Sequence, residues 1–88
     1  MKALEDGGIL DRTIVMYSSD HGSCLGDHDL IHKGVIYDAS ARVPFVVRCP
    51  ERFKPGHTRS FAGHVDFLPT VLSLAGASIP AEIEGKDM

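Results

Sequence analysis

The sequence predicts an α/β fold with two or three mainly parallel strands and flanking helices. Residues 13–18 and 43–48 form two apolar, β-branched runs, which are typical of parallel strands covered on both faces. Pro44 is compatible with the second strand because it lies near its start. A helical pattern follows at residues 66–75. Strands of this kind need helices on both faces, so the chain is expected to be part of a larger domain.

The first helix is expected at residues 2–6, where Gly7 and Gly8 end it by supplying a left-handed cap. Residues 62–65 are predicted to form a short third strand, and residues 78–88 are predicted to be mostly loop. Residues 49–60 contain prolines and a glycine and indicate a surface connection between the elements.

The last helix has the clearest signals at its two ends. Asp66 is expected to be its N-cap, Pro69 lies in the first turn where a missing N–H matters least, and Gly76 ends it. Four positions at helical spacing predict an apolar stripe that packs on the sheet. They are Leu68, Val71, Leu72 and Ala75.

Composition limits the possible functions. With 88 residues, the chain has room for one small domain at most, which would bury roughly 60–65% of its unfolded surface. A net charge of −3 provides no general attraction to nucleic acid or anionic membranes, so anion binding has to be local. No apolar run reaches the ~18 residues of a membrane span. Cys24 and Cys49 are too few to indicate a redox compartment.

The segment of residues 19–34 is rich in Gly, Asp and His and has neither helical nor strand period. Asp20 and His21 directly follow the first strand, and ligands of open α/β sheets bind beyond the carboxyl ends of the strands. A carboxylate and an imidazole can hold a divalent cation, and Lys33 adds a positive charge that can hold an anion. These residues predict a site for a metal-bound oxyanion such as sulfate or phosphate.

Two other interpretations of this segment are open from the residues. Asp20 and His21 could pair only with loop backbone, because polar loops at strand ends are common. Cys24, His28 and His32 recur every four residues, as three zinc ligands on one helix face would. The glycines within and beside that stretch disfavour a helix there, and with it the zinc interpretation.

Four stretches match the motifs of a known protein family in their order and spacing. They are residues 10–22 (LDRTIVMYSSDHG), 25–34 (LGDHDLIHKG), 37–44 with its Tyr-Asp and Arg-Val-Pro, and 64–76 (HVDFLPTVLSLAG). Through them the chain resembles the sulfatase family, within the alkaline phosphatase-like superfamily. The resemblance implies a partial alkaline phosphatase-like fold, in which residues 1–88 form a single partial catalytic domain.

The resemblance also implies roles for particular residues. Asp20 and His21 would be metal ligands, with calcium the first choice and magnesium or manganese as alternatives. Lys33 would bind the substrate's sulfate group and act in catalysis by stabilising negative charge. His32 is a second catalytic candidate, as a hydrogen-bond or proton donor to the leaving group. The substrate would be a sulfate ester, and the partner would be the remainder of the catalytic domain.

One departure from the family pattern concerns the nucleophile. Sulfatases carry a Cys or Ser in a Cys/Ser-x-Pro-x-Arg context that is converted to formylglycine, and this chain has no such motif. In Cys49-Pro50-Glu51-Arg52 the proline directly follows the cysteine. The resemblance therefore implies a catalytic-domain segment that is inactive by itself. The alternatives are a phosphodiester or phosphonate monoester hydrolase of the same superfamily, and a non-catalytic metal- or anion-binding module.

Overall fold

The computed structural model describes residues 1–88, and their contacts divide into two compact units, Met1–Gly56 and His57–Met88. The first unit contains α1 (Lys2–Asp6), β1 (Val15–Ser18), a 3-10 turn (Asp27–Asp29), α2 (Asp38–Ala41) and β2 (Phe45–Arg48). The second unit contains a 3-10 turn (His64–Asp66) and α3 (Phe67–Leu74). No helix is long and apolar enough to span a membrane.

The two strands pair antiparallel, with Val15 opposite Arg48 and Ser18 opposite Phe45. The α/β class therefore holds, but the prediction of parallel strands is wrong for this pair. A continuous apolar run indicates that a strand is suited to burial, whereas strand direction is decided by the path of the connection between the strands. Here that connection returns the chain to β1 in the opposite direction.

The ends of the helical segments in the first unit differ in detail from the prediction. The helix at Lys2–Asp6 is confirmed, but Gly8, with φ +65°, adopts the left-handed conformation rather than Gly7. The sequence analysis missed α2. This helix has four residues, too few for an apolar period of 3.6 residues to show in the sequence.

Little of the first unit is covered within the chain itself. Its buried side chains are Cys24, Cys49 and the polar Ser40, and both cysteines are free thiols. By contrast, Ile36 is 94% exposed and Leu25 is 82% exposed. Side chains of this size each gain about 1.5–3 kcal/mol from burial, and these two do not gain it within this chain.

The second unit departs from the prediction on both sides of Asp66. Residues 62–65 do not form a third strand, because the Asp66 carboxylate accepts a hydrogen bond from the Gly63 amide at 2.8 Å and closes a tight turn. Asp66 is the N-cap residue of α3, as predicted, but its side chain does not cap the helix. At the other end, Gly76 has φ +72° and ends α3 as expected.

The apolar stripe predicted for α3 is not its buried face. Leu68 and Val71 are exposed, whereas Pro69 and Thr70 are buried. The reason is the chain after α3, which bonds back onto this other side of the helix: the Met88 amide donates to Thr70 Oγ1 at 3.0 Å. Helical periodicity identifies an apolar face, but it does not identify the segment that covers it.

Asp66 joins the two ends of this unit through its carboxylate. One oxygen accepts the Gly63 amide, and the other accepts the Lys86 amide at 2.8 Å. These bonds, the Lys86 amide first, hold the pKa of Asp66 below its ordinary value of 3.8. The stabilisation is therefore present above the unfolded-state pKa and is lost as the pH falls through the folded-state pKa.

We expect the amide proton shifts of Gly63 and Lys86 to change together in an acid titration, with one midpoint below 3.8. The Asp66→Asn variant should lack this transition, because its side chain does not ionise. Two-dimensional NMR spectra recorded from neutral to acidic pH provide the measurement. The exposed carboxylate variant Glu82→Gln should keep the transition unchanged. A midpoint at or above 3.8 would contradict the assignment.

Candidate metal and anion site

The candidate site begins directly after β1, where the chain makes a tight polar turn. The Asp20 carboxylate accepts a hydrogen bond from the His21 amide at 2.9 Å, and the Ser19 hydroxyl donates to the His21 carbonyl at 2.9 Å. These contacts are local because short polar side chains readily bond to neighbouring backbone. They place the Asp20 and His21 side chains side by side at the end of the strand.

The orientation of the His21 ring follows from its partners. Nδ1 lies 2.7 Å from the Gly22 carbonyl oxygen, and a carbonyl can only accept, so Nδ1 carries the proton. In the neutral ring Nε2 then carries the lone pair and acts as an acceptor. Nε2 lies 3.3 Å from an Asp20 carboxylate oxygen. The pair therefore presents two acceptor atoms close together.

Lys33 reaches the same imidazole, with its ammonium in contact with Nε2 of His21. The pKa of Asp20 is lowered, chiefly by the hydrogen bond from the His21 amide, and the Lys33 charge contributes in the same direction. Asp20 is thus ionised at neutral pH. The structure brings together three of the four residues that the sequence analysis selected.

Residues 22–34, here called the site loop, return the chain from His21 to Lys33. The Cys24 amide donates to the His32 carbonyl at 3.2 Å, and the Ser23 hydroxyl donates to the Ile31 carbonyl at 3.1 Å. Further along, the Gly26 amide donates to the Leu30 carbonyl at 2.8 Å. These hydrogen bonds join the two sides of the loop and close its base, and for this reason Lys33 returns to the end of β1.

The site loop is attached to α2 at Gly22. The Gly22 amide donates to the Ser40 carbonyl at 2.8 Å. A Cβ atom at Gly22 would lie 2.1 Å from the Ala39 carbonyl oxygen, so this close approach of two backbone segments requires glycine. The sequence analysis selected neither Ala39 nor Ser40, because α2 itself left no detectable pattern.

His32, the fourth predicted residue, is exposed next to Lys33. Its carbonyl accepts one of the hydrogen bonds at the base of the loop, and its side chain lines a surface groove of about 270 Å³ with Lys33, Leu30 and Val35. A catalytic role for His32 stays a prediction.

The histidine at the loop tip has a structural partner that the sequence analysis did not select. The His28 ring stacks on Tyr37, with ring centroids 4.0 Å apart and planes inclined by 21°. Cys24 is buried and His28 is engaged with Tyr37, so neither joins His32 in a zinc site. No group of three or more His, Cys, Asp or Glu side chains is placed to hold a metal ion.

Asp20 and His21 fit a divalent cation as two of its ligands. A carboxylate oxygen and an imidazole nitrogen 3.3 Å apart can both contact one cation, since cation–ligand distances are about 2.0–2.6 Å. The donor set matches hard or borderline metals, and further ligands would have to come from outside this pair.

Comparison with known proteins identifies the family. The sulfatase family model matches residues 1–77. This chain belongs to the sulfatase family. An N-acetylglucosamine-6-O-sulfatase from Bacteroides thetaiotaomicron is 41% identical over 86 residues, which are 97% of this chain and 15% of that sulfatase.

Two solved structures show the same local fold. A protein in complex with its substrate, D-glucosamine-2-N,6-O-disulfate, has a TM-score of 0.84 at 38% identity over 98% of this chain and 18% of its own. A phosphonate monoester hydrolase from Silicibacter pomeroyi has a TM-score of 0.91 at 33% identity over 99% of this chain and 17% of its own. The chain thus spans less than a fifth of the length of these relatives, and the resemblance to the sulfatase family is confirmed.

Proposed function

We propose that this chain supplies part of the divalent-metal and sulfate site of a metal-dependent sulfate ester hydrolase. The observation that supports the proposal best is the convergence of Asp20, His21 and Lys33 at the end of β1. Nε2 of His21 lies 3.3 Å from an Asp20 carboxylate oxygen and contacts the Lys33 ammonium, so two metal-type ligands and a cation are grouped around one ring atom. The sulfatase relatives supply the reaction class.

Asp20 and His21 are the residues that would hold the cation. Asp20 is ionised. The hydrogen bond from Nδ1–H to the Gly22 carbonyl leaves the Nε2 lone pair of His21 available next to the Asp20 carboxylate. When bound, the metal supplies Lewis-acid polarisation of a sulfate oxygen and favours ionisation of the nucleophile. Calcium is the first choice, because a carboxylate suits hard cations, and magnesium and manganese are the alternatives.

Lys33 is the residue that would bind the sulfate group. Its ammonium is a compact charge on a flexible four-carbon stem, and it can leave Nε2 of His21 for an anion next to it. Fixed positive charge at developing negative charge lowers the barrier of ester cleavage. His32 lines the same surface groove as Lys33, and in this proposal it would donate a proton or hydrogen bond to the departing alcohol.

The second candidate is a phosphonate monoester hydrolase, which the structural match to such an enzyme favours. Sulfate and phosphonate groups are both tetrahedral oxyanions, so a metal and a lysine discriminate poorly between them. Parallel rates on an aryl sulfate and an aryl phosphonate monoester would separate the two candidates.

The partner implied by this function is the remainder of a sulfatase catalytic domain. Large apolar side chains are exposed in each unit, such as Ile36 in the first and Phe61 in the second. The relatives carry the equivalent segment within chains more than five times as long. The remainder would supply the further metal ligands and the nucleophile.

A chimera tests the function. We expect the Bacteroides thetaiotaomicron sulfatase to retain sulfate ester hydrolysis when its matching 86 residues are replaced by those of this chain. The isolated chain, which has no Cys/Ser-x-Pro-x-Arg motif, should show no turnover of an aryl sulfate, because losing a nucleophile removes many orders of magnitude in rate.

A folded chimera that binds metal but hydrolyses no sulfate ester would contradict the sulfatase proposal. If the isolated chain hydrolyses an aryl sulfate and Asp20→Asn abolishes this activity, the chain does not need a nucleophile from the rest of the domain, and this part of the proposal is wrong. Metal binding by the isolated chain without activity in the chimera would favour the non-catalytic module.

A further inference from the structure

Ser40, in α2, contacts both ends of the site loop. Its carbonyl oxygen accepts the Gly22 amide at 2.8 Å, and its hydroxyl oxygen accepts the Gly34 amide at 3.3 Å. Gly22 directly follows His21, and Gly34 directly follows Lys33. One residue therefore holds the backbone next to each of the two side chains that meet at the site.

Because Ser40 is buried, the loss of either contact should cost free energy. Ser40 is only 4% exposed, so water cannot readily replace a lost partner, and leaving a buried polar group unsatisfied costs about 1–3 kcal/mol. The same segment contacts the loop tip through the stack of Tyr37 on His28. The loop is thus held at its two ends and at its tip by residues 37–40.

We infer that Ser40 is a positioning residue for this site, whose carbonyl and hydroxyl hold Gly22 and Gly34 so that Lys33 faces His21. The catalytic meaning of this geometry rests on the proposed function, but the geometry itself does not. The Ser40 hydroxyl bonds to the Gly34 amide rather than to the His21 or Lys33 side chain, so Ser40 acts through the backbone of their neighbours.

The two contacts can be separated by substitution. Every residue keeps the carbonyl that accepts the Gly22 amide, whereas only a side chain with an acceptor can hold the Gly34 amide. Ser40→Ala therefore removes the Lys33 end of the loop from α2 and leaves the His21 end attached. Ser40→Thr keeps the hydroxyl and adds a methyl group, and Ser40→Cys replaces the hydroxyl by a slightly larger thiol that is a weaker acceptor.

The test is NMR spectroscopy of the isotope-labelled 88-residue chain without metal. We expect a nuclear Overhauser effect between the Lys33 side chain and the His21 ring in the wild type. This signal should be lost in Ser40→Ala and restored in Ser40→Thr or Ser40→Cys. Cross-strand signals between β1 and β2, such as those of Met16 and Val47, should persist in all variants.

Three results would overturn the inference. The first is absence of the Lys33–His21 signal in the wild type, and the second is its persistence in Ser40→Ala. The third is a joint loss of the Lys33–His21 and β1–β2 signals, which would make Ser40 a general stability residue. No activity enters the measurement, so an inactive chimera would count against the proposed function and leave this result standing.

Discussion

Replacing Lys33 by alanine in the chimera should lower the turnover of a sulfate ester by about 10²–10³, as loss of other preorganised charge-stabilising donors does. The metal content should stay unchanged, because the side chains of the two proposed ligands, Asp20 and His21, are untouched. The substitution removes the ammonium group that contacts His21 at the end of β1. Steady-state kinetics and metal analysis of the purified protein provide the two readouts.

Two further variants separate the role of Lys33 from metal binding and from general surface charge. Asp20→Ala should lower metal content and turnover together, because it removes the ionised carboxylate that we propose as a ligand. Lys54→Ala is the matched control, since this lysine is exposed in the connection after β2 and outside the site. Loss of metal in Lys33→Ala, or an equal loss of turnover in Lys54→Ala, would contradict the role of Lys33.

Gly22→Ala in the chimera should destabilise the fold by about 1–3 kcal/mol, the usual cost of inserting atoms into a well-packed contact. The new Cβ would lie 2.1 Å from the Ala39 carbonyl oxygen, and a backbone atom cannot rotate away as a side chain can. Turnover should fall as well, because His21 is the adjacent residue. Denaturant unfolding and kinetics on the same preparation measure both effects.

Gly56→Ala is the matched control for this substitution. A Cβ at Gly56 meets no atom within 4 Å, so its free energy of unfolding should change by no more than about 0.5 kcal/mol. If Gly22→Ala unfolds at the same denaturant concentration as Gly56→Ala, the close approach of Gly22 to α2 is not a real constraint.

The sequence predicted the meeting of Asp20, His21 and Lys33 through two kinds of information. The end of a strand indicated where the first two lie, and the resemblance to sulfatases indicated that the loop brings the lysine back. Their roles in metal and sulfate binding stay predictions. The attachment through Ser40 was missed, because a four-residue helix is too short to leave a period in the sequence.

The errors in the fold concern contacts between residues that are distant in sequence. The apolar pattern of residues 13–18 and 43–48 located both strands, but it carried no information on their direction. Likewise, helical spacing located α3, but the return of Met88 to Thr70 decides which face is covered. The third strand failed because one hydrogen bond between Asp66 and Gly63 turns the chain there.

Because hydrogen bonds close the base of the site loop, its tip, residues 27–29, should tolerate inserted residues. The hydrogen bond from Gly26 to Leu30 lies below residues 27–29, so residues inserted between these positions leave the Lys33 end of the loop in place. Lengthening the tip would give up the stack of His28 on Tyr37. Insertions in the tip should therefore leave Lys33 in place, whereas insertions next to Gly34 should displace it.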